Sequence, residues 1–217
     1  MSTAALGELH HRHTPGTARA ALAYPRFRIL FVGSVLSNAG TWMQNFILPA
    51  YLDERTGSAG LVGLLVFAQL GPLLLLSIPA GVLADRIDRT RFVVAMQVTM
   101  LAGSVALAVL VANHAALWTL FAAQLAIGVA NALNAPAFSA SLPMLVDRRD
   151  LPGAVSLNSA MINGSRIAGP ALAALLSALG MTIWHLFLVN AATYLLLIVP
   201  LLRQPLPMVE TNHPERG

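Results

Sequence analysis

Along most of this chain, charged and strongly polar positions are gathered into short clusters separated by long apolar runs. Six runs stand out, over about 27–51, 58–84, 91–112, 116–143, 152–180 and 182–202. Each reaches the roughly 20 predominantly apolar residues that a helix needs to cross the hydrocarbon of a bilayer. The pattern predicts six transmembrane helices, several long enough to be tilted or to extend beyond the bilayer. The links between them are short: Asp53-Glu54-Arg55, Asp85 to Arg91, Asn113-His114, Asp147 to Asp150, and a tight turn near Gly180. None has room for a soluble domain. The expected organisation is an N-terminal tail over 1–24, a helical bundle over 25–203, and a disordered tail over 204–217 that contains Pro205, Pro207 and Pro214.

The uncharged polar residues inside these runs fall on particular faces. At about 100° per residue, Asn38, Thr41, Trp42 and Asn45 share one face of the first helix, and Gln124, Asn131 and Asn134 share one face of the fourth. A polar stripe facing lipid is unfavourable. Each stripe is therefore expected to line a watery cavity or to hold helices together by hydrogen bonds. Arg166 lies about 20 Å along a helix that enters near Pro152, at a rise of about 1.5 Å per residue. Asn163 shares its face. A charge at that depth is rare, and two readings stay open: an arginine bonded to helix carbonyls, or one that contacts a substrate.

The second and fifth helices carry matching Gly-Pro pairs, Gly71-Pro72 and Gly169-Pro170. Proline removes a backbone donor and glycine allows close approach, so both helices should bend or pack tightly there. Interruptions at corresponding positions of two halves predict a three-plus-three inverted repeat.

Composition and charge agree with a membrane protein. The chain is 57% hydrophobic and 10% charged, against roughly 25% charged residues in soluble domains. The pI near 10.6 does not point to nucleic acid, because the basic residues sit in loops between apolar runs. Eleven of the 13 basic residues, all arginines, fall on one side: Arg12, Arg19, Arg26 and Arg28, then Arg86, Arg89 and Arg91, then Arg148 and Arg149, then Arg203 and Arg216. That asymmetry places both termini in the cytoplasm. All nine acidic residues lie outside the mid-membrane turns. The first 24 residues lack a signal-peptide pattern, so the first apolar run is expected to be retained. With no cysteine and no cluster of metal ligands, no metal or cofactor is expected.

The stretch from Gly81 through Asp85, Arg86, Asp88 and Arg89 to Arg91 resembles the signature loop of the major facilitator superfamily. The resemblance implies a gate loop on the cytoplasmic side, with Asp85 accepting hydrogen bonds that include one from Arg89. Asp88 stands where that pattern often has glycine. More of the chain is similar to one branch, the transmembrane secretion effectors, which include siderophore and macrolide exporters. The matching stretches are Gly40 to Gln44, Leu52 through Thr56 to Ala59, Ala135 to Ala137, Leu142 to Val146, Ala154 to Ser159, and Asn163 through Arg166 to Ala173. The fifth helix also resembles the antiporter motif, with Ala173-Ala174 in place of paired glycines.

The resemblance implies an all-α membrane protein of the bacterial inner membrane. It would be the N-terminal half of a secondary transporter that exports a small amphipathic or lipophilic molecule by alternating access. Such transporters use two six-helix halves, so a second half is implied, from a homodimer or a separate chain. The alternative is a non-transporting partner subunit or a truncated remnant. An intramembrane protease is disfavoured. It needs a serine beside a histidine, and the apolar runs hold only His185, near one end, while Ser34, Ser104 and Ser165 show no partner.

Overall fold

A computed structural model describes residues 13–86 and 88–206, with the backbone alone over 77–86. The described residues form six long helices: α1 (Pro25–Thr56), α2 (Ala59–Arg86), α3 (Arg89–Ala112), α4 (Leu117–Ser139), α5 (Leu151–Ala178) and α6 (Ile183–Arg203). A five-residue helical turn, Ala18–Leu22, precedes α1. Local chemistry sets the ends. Pro25 opens α1, where a missing N–H costs nothing, and Gly57 closes it at φ +60. Asp88 caps α3 by accepting from the Arg91 amide at 3.0 Å. With φ −52 it has no need of the glycine often found there. Gly180, at φ +86, makes the turn into α6. The fourth apolar run was expected to stay helical to 143, but α4 ends at Ser139 and residues 142–144 form a 3-10 turn. Pro143 has no N–H to return to the Ser139 carbonyl, so an α-helix loses its bond there.

Four helices are long and apolar enough to cross a membrane, over Ala59–Leu76, Arg89–Ala112, Leu117–Ser139 and Ile183–Arg203. α1 and α5, at 32 and 28 residues, are at least as long but more polar. Their polar positions have specific uses in the bundle, as described below. α1 packs along α5 and α6, α4 packs along α2 and α3, and α3 packs along α6. Exchanging α1 with α4, α2 with α5 and α3 with α6 leaves these main pairings unchanged. Large apolar side chains such as Leu75, Val109 and Ile167 cover the outside, where lipid rather than water suits them.

The prolines inside the helices explain several contacts. Each removes the donor that would bond the carbonyl four residues earlier. Pro49 frees Asn45 O, and the Gln69 side chain of α2 donates to it at 3.3 Å. Pro72 frees Ala68 O, and Gly128 of α4 sits directly on it: a Cβ there would lie 2.6 Å from that oxygen. Pro200 frees Leu196 O, against which Gly33 of α1 is packed. Neighbouring helices thus cover carbonyls that the bilayer would leave unsatisfied. The Gly-Pro pairs themselves are not equivalent. Gly169 packs tightly, since a Cβ would lie 2.6 Å from the Met43 amide nitrogen. Gly71 does not: its nearest neighbours are atoms of the Phe67 ring in its own helix. Both helices continue through their prolines.

The first residues after α6, where a tail is expected from 204, contact α1 and α3. Leu206 is buried and its amide donates to Thr90 Oγ1 at 2.8 Å, while Arg26 donates to Pro205 O. The rest of that tail, and the first 12 residues, lie outside the described residues.

Candidate functional site

The two polar stripes divide into a dry network and an open cavity. Gln44 of α1, Ser104 of α3, and Asn190 and Tyr194 of α6 are all 0% exposed. The Ser104 hydroxyl donates to Gln44 Oε1 at 2.6 Å and Asn190 Nδ2 donates to the same oxygen at 2.8 Å. Asn190 Nδ2 also lies 3.2 Å from Tyr194 OH, which is 3.0 Å from Thr41 Oγ1. Gln44 Nε2 faces Gln124 Oε1 of α4 at 3.4 Å. One side chain from each of four helices thus meets at one point. Thr41 and Gln124 belong mainly to this network, as hydrogen-bonded links between helices. Gln44, Asn190 and Tyr194 were not singled out from sequence, although Asn190 and Tyr194 lie one turn apart on one face of an apolar helix. Ser104 has polar partners here, with no histidine among them.

Asn38, Trp42, Asn45, Asn131 and Arg166 surround a cavity of about 670 Å³, to which Thr41 also contributes. Its opposite wall is the apolar face of α2, with Phe67, Leu70 and Leu74. Volumes of this order hold small organic ligands. The Arg166 guanidinium lies over the Trp42 ring, 5.2 Å from its centre, a cation–π contact. Arg166 is exposed and makes no ion pair among the described residues. Asn163 lies one turn before it on the exposed side of α5. It donates to Ser159 O at 2.8 Å rather than to the cavity.

A second, smaller pocket of about 50 Å³ adjoins the cavity through Asn38, Thr41 and Asn131. Asn134 lines this pocket with Ser34, Ser37, Gln97 and Asn158. Ser34 Oγ and Asn134 Oδ1 have no hydrogen-bond partner within the protein. The pocket is polar and large enough to supply one as water. Among the described residues, no group of three histidine or acidic side chains could hold a metal ion.

Of the predicted gate loop, the side chains of Gly81, Asp85 and Arg86 lie outside the described residues, and so does the expected Asp85–Arg89 bond. Arg89 donates to Ala140 O at 2.9 Å, tying α3 to the end of α4. Arg91 Nε is 3.8 Å from Asp88, in an exposed pair.

At the same end of the bundle, the N-terminal segment is fastened to α5. Asp150 is 2% exposed. It accepts from the Gly16 amide and from the Tyr24 hydroxyl, both at 2.9 Å. Gly153 seats the Thr17 backbone against α5. Burial, then the hydrogen bond to Asp150, push the Tyr24 phenol well above its ordinary value. A phenol whose folded value is raised stabilises the fold below its unfolded value near 10, and that contribution is lost as pH rises through the folded value. Asp150→Ala is therefore expected to free this strap and speed tryptic cleavage after Arg19 severalfold. In the unmodified protein, cleavage should be constant from about pH 6 to 9 once the protease's own pH dependence is subtracted. Equal cleavage of the two proteins would remove Asp150 as the anchor.

The profile describing transmembrane secretion effectors matches residues 16–216, nearly the whole chain. The chain belongs to this family. The transmembrane secretion effectors are a branch of the major facilitator superfamily, whose members are multi-pass membrane transporters rather than enzymes. The chain is 29% identical over 196 residues to the Staphyloferrin A transporter of Staphylococcus aureus, covering 87% of this chain and 47% of that protein. It is 27% identical to the Enterobactin exporter EntS of Shigella boydii, covering 84% and 44%. It is 28% identical to the Macrolide efflux protein A of Streptococcus pyogenes, covering 74% and 39%. The chain thus spans about half the length, or less, of these relatives.

Proposed function

We propose that this chain is one six-helix half of an exporter that moves a small amphipathic or lipophilic molecule by alternating access. The cavity between α1, α2 and α5 would be its share of the substrate path. One observation carries this reading: a polar, cationic face at mid-helix is left open on a bundle whose exterior is otherwise largely apolar. Arg166 is 15 residues into a 28-residue helix, about 22 Å along it. Ser159 and Asn163 continue its exposed stripe. Hydrocarbon is a costly neighbour for such a stripe, whereas a water-filled path closed by a second bundle is a favourable one.

Three further features support the reading. The main helix pairings survive the exchange of the first three helices with the last three, as an inverted repeat requires. Crossings by α1 and α5 would complete six spans, with Thr41 and Gln44 of α1 turned into the network and Trp42, Asn45 and Arg166 into the cavity. The arginine asymmetry supports both termini on the cytoplasmic side, where the loop of Gly81, Asp85, Arg86, Arg89 and Arg91 would form the gate. The relatives, which carry names of transporters and exporters, are about twice as long, which supports a second half.

The direct test is native mass spectrometry of the chain in lipid nanodiscs, expressed alone and together with the products of neighbouring genes. A homodimer or a one-to-one complex with another six-helix chain is expected. A strict monomer in both settings would sink the two-bundle reading.

A further inference from the structure

We infer that the cavity is selective for anions: it takes an amphiphile whose acidic group sits on Arg166 and whose apolar body lies against Phe67, Leu70 and Leu74. This rests on the cavity being the substrate path, and it adds the charge of the substrate.

Charge balance is the first ground. Among the described residues, Arg166 is the one charged residue lining the cavity. All nine acidic residues of the chain lie outside the middle turns of the helices, so the bundle core holds no carboxylate to neutralise Arg166. The neighbouring side chains are neutral amides, a hydroxyl and an indole. Even where water reaches the site, an opposite charge within a few ångströms is favoured and a like charge is repelled.

Geometry is the second ground. The Arg166 guanidinium lies over the Trp42 ring, with Cζ 5.2 Å from the ring centre. The indole has no hydrogen-bonding acceptor to offer it, so the guanidinium N–H groups stay available to a carboxylate or a similar planar oxyanion, which they match with two parallel hydrogen bonds. The indole therefore positions the cation without neutralising it. Across the cavity, α2 presents apolar side chains, with Leu74 80% exposed, and Gly63 leaves open space where a side chain would stand. One wall is cationic and polar and the other apolar, which suits a molecule with one acidic end.

The test uses the full chain in phosphatidylcholine nanodiscs and three probes of matched shape: 2-naphthoate, 2-naphthylmethylammonium and neutral 2-methoxynaphthalene. Binding is measured by equilibrium dialysis against empty nanodiscs. Saturable binding of the naphthoate is expected, at least about tenfold tighter than either other probe, a difference of about 1.4 kcal/mol. Arg166→Gln should remove that preference while leaving the size-exclusion profile unchanged, and Arg166→Lys should keep part of it. Gly63→Trp, whose Cβ meets nothing within 4 Å and whose indole would occupy the cavity, should abolish binding of all probes. Equal binding of the three probes, abolished by Gly63→Trp, would leave the cavity as a binding site and overturn anion selectivity. Tighter binding of the cation, or naphthoate binding unaffected by Arg166→Gln, would overturn it as well. No saturable binding of any probe would bring down both this inference and the reading of the cavity as the substrate path.

Discussion

Gly128→Val is expected to prevent α2 and α4 from packing and to remove most of the correctly folded protein. The added Cβ would lie 2.6 Å from Ala68 O and 2.9 Å from Gln69 O. Both are backbone atoms of a helix and neither can turn aside. Overpacking costs typically about 1–3 kcal/mol and occasionally more. Here the separation would also uncover the Ala68 carbonyl, which has no helical donor because residue 72 is proline. An unsatisfied carbonyl in hydrocarbon adds several kcal/mol. Fluorescence-detected size-exclusion chromatography should show a severalfold loss of the monodisperse peak. Gly164→Val is the matched control, because a Cβ there meets nothing within 4 Å. A normal peak for Gly128→Val would mean that the two helices do not approach as closely as described.

The second large effect is expected at the centre of the buried network. Gln44→Leu takes away one acceptor shared by Ser104 and Asn190 and one donor facing Gln124. Three buried polar groups then lose a partner together, in a place without exposure to water. Orphaned groups cost about 1–3 kcal/mol each in soluble proteins. Hydrogen bonds between membrane helices average only about 0.6 kcal/mol, because alternative partners are found. A loss of about 2–4 kcal/mol is the resulting expectation, read as a drop of several degrees in the melting temperature in detergent. Asn190→Leu should lower it less, and the double variant should fall short of the sum, because the two residues share one hydrogen bond. Strict additivity would show that they act separately. The same measurement separates scaffold from site: Arg166→Gln and Gly63→Trp should leave the melting temperature nearly unchanged.

These two sites also show why polar residues in apolar helices resist assignment from sequence. Thr41 and Trp42 are neighbours on the stripe that the first helix was expected to carry. Thr41 faces Tyr194 inside the bundle, and Trp42 faces Arg166 in the cavity. A step of about 100° separates a buried link from a wall of the site, and a stripe drawn from periodicity is wider than that. Gln124 and Asn131 on α4 share a face but lie two turns apart, and that displacement along the axis puts one in the network and the other on the cavity. The loop that carries the family resemblance was legible because its residues are contiguous and charged. The Asp150 anchor was not, because its partners, Gly16 and Tyr24, are more than 120 positions away in the chain.

By itself, the sequence determined the six helices, their approximate ends and the family. Each of these follows from short-range rules: apolar runs of a given length, caps, glycines and prolines at helix ends, and contiguous motifs. Only the tertiary structure decided which polar side chains meet in the dry network and which open on the cavity. It alone showed that Gly128 and Gly33 cover carbonyls freed by prolines in other helices, and that Arg166 lies over the Trp42 ring. These are contacts between segments far apart in the chain. They depend on the rotation of each helix about its axis, which is set by the close packing of all six together.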